Sequence, residues 1–140
     1  MDKFIENAIA WALSKKDQAE YPLRCLAFVE DAYEKGNNIE LFGGSTAAES
    51  AEEYGFNTMG CPPKGSFVFY QAVGSIDRVE KDWGHVGLCI GDGEVIHAWN
   101  VIRIDNYLEV QALSNATGWR APKYLGWTPP ERFLKGYQQR

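Results

Sequence analysis

A cysteine at the start of a predicted helix and two histidines around one loop could form a nucleophilic site. Cys25 opens the helix, and His85 and His97 flank Gly91-Asp92-Gly93. The thiolate is the reactive form of cysteine, and its pKa falls at a helix N-terminus beside an imidazolium. One histidine would activate the thiol, the second would orient the first, and free helix N–H groups would stabilise an oxyanion. A core thiol and structural histidines would have the same spacing, so both interpretations stay open here.

The loop length decides whether the two histidines share a face of the sheet. A two-residue Asp92-Gly93 loop would send His85 and His97 to opposite sides. A three-residue loop with Gly93 in the left-handed conformation separates apolar from polar positions more cleanly. The apolar face would then hold Val86, Leu88, Ile90, Ile96 and Ala98. The other face would hold His85, Gly87, Cys89, Val95, His97 and Trp99. We therefore predict a three-residue loop, with both histidines on one face and Gly87 opposite His97.

The elements that must position these residues are helices first and strands later. Periodicity and capping signals predict helices over 3–15, from Arg24 or Cys25 to Lys35 with a stop at Gly36, and from a Thr46 capping box to about Gly55. Aromatic and β-branched runs predict strands over 66–73, 85–90, 95–99, 101–104 and, less regularly, 124–127. This order predicts an α+β fold in which N-terminal helices cover one side of an antiparallel sheet.

Length and composition exclude several classes of protein. A chain of 140 residues points to one domain over 1–140, and a net charge of −5 disfavours binding to nucleic acid or an anionic membrane. No apolar run reaches the ~18 residues of a membrane span. Three cysteines without a C-x-x-C pair disfavour structural zinc, and we expect no metal or organic cofactor. The first residues do not form a signal peptide, so the chain as given is expected to be made in the cytosol, and its final location stays unknown.

Three segments resemble the NlpC-type cysteine peptidases of the bacterial cell wall. Residues 24–29, RCLAFV, are similar to the family's D-C-S-G-F-V nucleophile motif, and residues 65–70, GSFVFY, to its P-G-D-L-V-F-F strand. Residues 84–98, GHVGLCIGDGEVIHA, resemble its H-V-G-I-Y-I-G-N-G-x-x-I-H-A hairpin. The resemblance implies a papain-like α+β fold over a single thiol hydrolase domain. It also implies Cys25 as nucleophile, His85 as general base and His97 as the orienting third residue.

The sequence departs from the family beside the nucleophile. The family's Asp before the cysteine, which helps to bind a free L-alanine amine, is Arg24 here. A guanidinium repels an ammonium group and attracts a carboxylate, so we expect an acidic substrate end or one that is not a free N-terminus. The family's tyrosine near the oxyanion is also missing, and Tyr21 is the candidate to replace it. Trp83 and Trp99 flank the histidines and are candidates for the walls of a substrate groove.

The resemblance implies hydrolysis of peptidoglycan stem peptides, of the D-γ-glutamyl-diamino acid type. An antibacterial effector, with an immunity or inhibitor protein as partner, or a phage lysis enzyme would fit a solitary catalytic domain. An amidase or another acyl-transfer or toxin enzyme of the same fold, acting on a different substrate, is the first alternative. A non-catalytic binding module is the second. Cys61 and Cys89 are interpreted as inert, although a disulfide between them stays open if the protein is exported.

Overall fold

The computed structural model describes residues 2–140 as four α-helices, one short 3-10 helix and nine strands. The helices are α1 (Asp2–Leu13), α2 (Cys25–Asn37), α3 (Ala47–Tyr54) and α4 (Pro130–Phe133), and the 3-10 helix is Glu109–Ala112. The strands are β1 (Ile39–Glu40), β2 (Phe67–Gln71), β3 (Val73–Ile76), β4 (Val79–Asp82), β5 (His85–Gly91), β6 (Glu94–Ala98), β7 (Ile102–Asn106), β8 (Lys123–Thr128) and β9 (Gln138–Gln139).

The central sheet has five antiparallel strands in the order β7-β6-β5-β2-β8. One face packs against α1 and α2, because alternate side chains of β2, β5 and β6 join the apolar faces of these helices in the main core. The other face carries a smaller cluster, which comprises Val68, Tyr70, Cys89, Val95 and Val110. The predicted α+β fold, with N-terminal helices on an antiparallel sheet, is therefore confirmed.

The helix α2 runs two residues beyond its predicted end. It passes through Gly36 and ends at Asn37, and the φ of 54° at Asn38 gives the left-handed cap. The glycine is needed for packing, since a Cβ at Gly36 would lie 2.7 Å from the backbone oxygen of Asn7 on α1. Gly36 thus allows α1 to approach α2 closely instead of ending the helix. The third helix matches its prediction, with Thr46 accepting from the Glu49 N–H and Gly55 as the cap.

Two short pairings complete the fold. Strands β3 and β4 form a hairpin around Asp77 and Arg78, both with positive φ. No glycine or asparagine stands at this turn to indicate it, and the strand predicted over 66–73 includes only Val73 of the hairpin. At the other end of the molecule β9 pairs with β1, and the Arg140 N–H donates to the Asn38 carbonyl. The C-terminal residues therefore lie against the end of α2.

Candidate active site

The hairpin β5–β6 brings the two histidines together. Leu88 pairs with Ile96 and Cys89 with Val95, which is the register expected for a three-residue loop. His85 Nε2 lies 2.8 Å from His97 Nδ1, and the ring centroids are 5.0 Å apart. The prediction that both side chains share a face is confirmed.

The loop itself is shorter than predicted. Gly91 pairs with Glu94, so only Asp92 and Gly93 form the turn, with φ of 53° and 74°. Ile90 is the extra residue of a bulge between Cys89 and Gly91, where Gly91 has a φ of 116°. The predicted three-residue loop is therefore wrong at the tip. The bulge absorbs the third residue, which is why the register of the histidines is unchanged.

Gly87 makes the space in which His97 lies. A Cβ at Gly87 would lie 3.0 Å from the Cβ of His97 and would overlap Cγ1 of Val95. Any side chain there would push the neighbouring strand away or turn the His97 ring. The predicted position of Gly87 beside His97 is confirmed, and the contact shows how tightly the hairpin holds the ring.

Sequence analysis missed Asp105, the residue that contacts the other side of His97. Its Oδ2 lies 2.8 Å from His97 Nε2. Arg103 donates to both oxygens of the same carboxylate, from Nε at 2.8 Å and from an Nη at 3.1 Å. Strand β7 pairs Arg103 with His97, and Asp105 is two residues along on the same face. The alternation of the strand was the available signal, but the predicted strand ended at Ile104.

The structure places Cys25 at the first position of α2, half-buried. Backbone N–H groups of Val86 and Leu26 donate hydrogen bonds that favour the thiolate, but burial outweighs them and raises the pKa of the thiol to about 11. Burial, and then the neighbouring His97, hold the pKa of His85 well below its ordinary value. An uncharged imidazole provides no positive charge to stabilise a thiolate. The expected lowered thiol pKa is therefore wrong, because burial favours the uncharged forms of both Cys25 and His85.

The backbone around the nucleophile is strained and uncapped. Leu23 has a φ of 56° although its side chain is large, and 70% of it is exposed. Arg24 occupies the N-cap position and makes no side-chain capping hydrogen bond. No side chain caps the first turn of α2, and the Leu26 N–H of that turn donates to the Cys25 thiol. An oxyanion formed at this thiol would meet the same uncapped N–H groups.

Cys25 and His85 line one cavity of about 720 Å³. Trp83 and Trp99 line it too, in agreement with their predicted position, and Trp119 lines it with them. The indole N–H of Trp83 donates to the Gly74 carbonyl at 3.1 Å, and that of Trp99 to the Ser114 carbonyl at 3.2 Å. The rings are therefore fixed walls, anchored to the β3–β4 hairpin and to the segment before β8.

Tyr21 does not lie at this cavity, which corrects its assignment as an oxyanion candidate. Its hydroxyl donates to Asp31 at 2.6 Å, its ring packs on Phe28, and burial and the Asp31 carboxylate raise its pKa. The hydroxyl is thus hydrogen-bonded to a residue in the middle of α2. Arg24, in contrast, does line the cavity, with its guanidinium 5.4 Å from the centre of the Tyr21 ring.

Two further charged residues line the cavity and were missed in the sequence. Arg120 comes from the segment before β8, and Glu30 lies on α2. Burial raises the pKa of the Glu30 carboxyl to about 7, and repulsion by Glu34 and Asp31 adds to the shift. No sequence motif contains either residue. Only the fold brings these segments to the nucleophile.

Within residues 2–140, no group of three or more His, Cys, Asp or Glu side chains is arranged to hold a metal ion. Across the same residues, no helix has the length and apolar character needed to span a bilayer.

The α+β fold brings Cys25, at a helix start, and His85, backed by His97, to one cavity. The sequence profile of the NlpC/P60 family matches residues 11–120, and the chain therefore belongs to the NlpC/P60 family. Members of this family are generally cysteine peptidases with a cell-wall peptidase-like fold, and relatives bind peptidoglycan.

Comparison with solved structures gives a similar chain in RipD from Mycobacterium tuberculosis. RipD is described as a non-catalytic NlpC/p60 domain protein with an adaptation to peptidoglycan-binding function. The two sequences are 13% identical, the TM-score is 0.49, and the match covers 89% of this chain and 95% of that chain. No curated protein sequence matches the chain.

Proposed function

We propose that this chain is a cysteine peptidase that hydrolyses amide bonds in peptidoglycan stem peptides. The observation that carries the proposal is that Cys25 and His85 line one cavity while His85 is hydrogen-bonded to His97 at 2.8 Å. A nucleophile, a base and a group that orients the base are the parts that acyl transfer through a thioester requires. The membership of the NlpC/P60 family supports the choice of peptidoglycan as substrate.

Because burial favours the uncharged forms of Cys25 and His85, the proton transfers start from a thiol and a neutral imidazole. The Cys25 thiol gives its proton to His85 as Sγ attacks the amide carbon, and the oxygen that becomes negative accepts N–H hydrogen bonds at the start of α2. His85 then gives the proton to the leaving amine, and the C–N bond breaks to leave a thioester. Water loses a proton to His85 and attacks the thioester. The carboxylic acid leaves, and the proton returns to the thiol.

We propose the bond between D-γ-glutamate and the diamino acid as the bond that is cut, by analogy with the family. Arg24 changes the expected substrate end, because it lines the cavity where relatives carry an acid. A guanidinium favours a carboxylate over a free L-alanine amine. We therefore propose that the enzyme acts on stems still attached to glycan, or on ends that carry a carboxylate.

Two biological settings are consistent with this activity, namely an antibacterial effector and a phage lysis enzyme. In an effector, the producing cell needs an immunity protein, and the cavity that holds Cys25 is the surface such a protein would block. Co-expression of the chain in the periplasm of a susceptible bacterium, with and without neighbouring genes of its source, tests whether such a partner exists.

The test is a digest of purified peptidoglycan followed by mass spectrometry. We expect fragments that end in D-glutamate together with fragments that begin with a new amine on the diamino acid. Cys25→Ala should yield none of them, and Cys61→Ala should yield them at the wild-type rate because Cys61 does not line the cavity. Release of whole stem peptides would identify an amidase instead. If the wild-type protein sediments with peptidoglycan but does not cleave it, the result would contradict the peptidase proposal and support a binding module.

A further inference from the structure

Asp105 is a carboxylate that the proposed mechanism does not use. This carboxylate lies outside the cavity lining and is mostly buried, with 14% of its side chain exposed. Its three hydrogen-bond partners are His97 Nε2 and two guanidinium nitrogens of Arg103. An arginine side chain only donates, so both oxygens of Asp105 act as acceptors.

The hydrogen bond to Asp105 fixes which nitrogen of His97 carries the proton. Since the carboxylate accepts, Nε2 of His97 must donate, and a neutral imidazole carries only one N–H. Burial lowers the pKa of His97, although the Asp105 hydrogen bond opposes this shift, so the ring is neutral near pH 7. Nδ1 of His97 is then an acceptor.

The same logic continues to the proposed base. His97 Nδ1 lies 2.8 Å from His85 Nε2, so Nε2 of His85 must carry the proton and donate it. The remaining nitrogen, Nδ1 of His85, is left without a proton. An unprotonated nitrogen is what a base requires in order to accept the Cys25 proton.

We infer that Asp105 is a positioning residue that, through His97, holds His85 in the tautomer whose Nδ1 is free to act as a base. Arg103 holds the carboxylate in place from the other side. The contacts thus run from Arg103 to Asp105, then to His97 and His85. Asp105 therefore adds a hydrogen-bond acceptor behind the two histidines. When His85 receives the thiol proton, the His97 lone pair and the Asp105 charge also stabilise the imidazolium.

The inference has a direct spectroscopic test that does not depend on turnover. The ring nitrogens of His85 and His97 are labelled with ¹⁵N in the full chain carrying Cys25→Ala, and their chemical shifts show which nitrogen is protonated. We expect Nε2 protonated and Nδ1 unprotonated in both rings near pH 7. A His97 ring protonated at Nδ1, or a mixture of tautomers in both rings, would overturn the inference.

Variants then separate positioning from support of the strand. Asp105→Asn replaces one acceptor oxygen by a donor amide, so we expect mixed tautomers in both rings. Arg103→Gln keeps the carboxylate and is the matched control, with the tautomers retained. Unchanged spectra in Asp105→Asn would contradict the inference. If Asp105→Asn does not fold, the spectrum of the chain with only Cys25→Ala still decides.

The kinetic consequence rests on the proposed function. For the hydrolysis of peptidoglycan we expect Asp105→Asn to lower kcat by about 10²-fold with little change in KM, because the wrong tautomer blocks the base but not binding. Arg103→Gln should lower kcat by less than about tenfold. If neither the wild type nor any variant cleaves peptidoglycan, but both rings are protonated at Nε2, the proposed function fails and the inference about Asp105 stands. A rise in KM without a change in kcat in Asp105→Asn would assign Asp105 to substrate binding and overturn its positioning role.

Discussion

The histidine hairpin and the start of α2 meet at the same cavity but differ in how their polar groups are satisfied. On the hairpin side, the two ring nitrogens between His85 and His97 and both oxygens of Asp105 have partners. On the helix side, Leu23 is strained, the first turn is uncapped, and the Arg24 side chain makes no ion pair within residues 2–140. The histidine hairpin, which would move protons, is held in one arrangement by hydrogen bonds. The start of α2, which would recognise substrate, has no side-chain cap and no ion pair at Arg24 in the described residues.

The largest expected effect concerns the thiol on the helix side. Because burial raises the pKa of the Cys25 thiol to about 11, the uncharged thiol predominates at pH 7. We expect iodoacetamide to modify exposed Cys61 before Cys25 at pH 7, and the modification of Cys25 to rise steeply toward pH 11. Mass spectrometry of each cysteine peptide over a pH series measures this. Faster modification of Cys25 than of Cys61 at pH 7 would indicate a thiolate–imidazolium pair instead and would make the two sides electrostatically alike.

The next effect disturbs the hairpin side. Gly87→Ala places a Cβ against Val95 Cγ1 and 3.0 Å from the His97 Cβ. We expect the free energy of unfolding to fall by about 1–3 kcal/mol and hydrolysis to fall by about 10²-fold, because the His97 ring is displaced. Urea denaturation and the peptidoglycan digest measure the two effects.

A second substitution serves as the control for Gly87→Ala. Adding Val95→Ala removes the overlapping methyl group and should restore part of the stability, but not the activity, because the contact with His97 remains. Full recovery of activity in the double variant would show that His97 does not depend on Gly87.

The substrate end gives an effect of about tenfold. At ~6 Å and an effective dielectric of about 20, reversal of a unit charge changes an interaction by several kcal/mol, which exposure and salt reduce to about 1–2 kcal/mol. Arg24→Asp should therefore move the preference from carboxylate-bearing or glycan-linked stems toward peptides with a free L-alanine amine. The ratio of kcat/KM for the two substrates measures it. A wild type that already prefers the free amine, with no change in Arg24→Asp, would show that Arg24 does not contact substrate.

The smallest effect concerns Glu30 and stability. Its folded-state pKa of about 7 lies above the ordinary 4.5, so the folded protein binds the proton more tightly and stability falls as pH rises from about 4.5 through 7. Because the side chain is partly exposed, we discount the shift and expect Glu30→Gln to raise the free energy of unfolding by about 1 kcal/mol at pH 8, with no gain at pH 4. Exposed Glu52→Gln is the control. Equal gains in both variants would indicate a general charge effect.

The local features of the fold and site could be predicted from the sequence, whereas those that depend on distant segments could not. The register of His85 and His97 followed from alternation and the spacing around Gly93, because strand periodicity is a local property. The predicted strand ended at Ile104, one residue before Asp105. No local motif indicates that Arg120 and Glu30 line the cavity. The lowered thiol pKa expected for Cys25 was wrong for the same reason. The helix start is visible in the sequence, but the burial that outweighs it is a property of the packed fold.

The tryptophans that line the cavity give the protein an intrinsic fluorescent probe of ligand binding in that cavity. Trp83, Trp99 and Trp119 line the cavity, whereas Trp11 and Trp127 do not. The Trp99 ring lies 5.1 Å from the His85 ring, and its indole N–H is held by a backbone carbonyl. We therefore expect the emission of the three rings to respond to a bound peptide, and that of Trp99 to respond also to a charge on the imidazole. A titration in a cuvette can follow ligand entry and proton transfer without any attached dye.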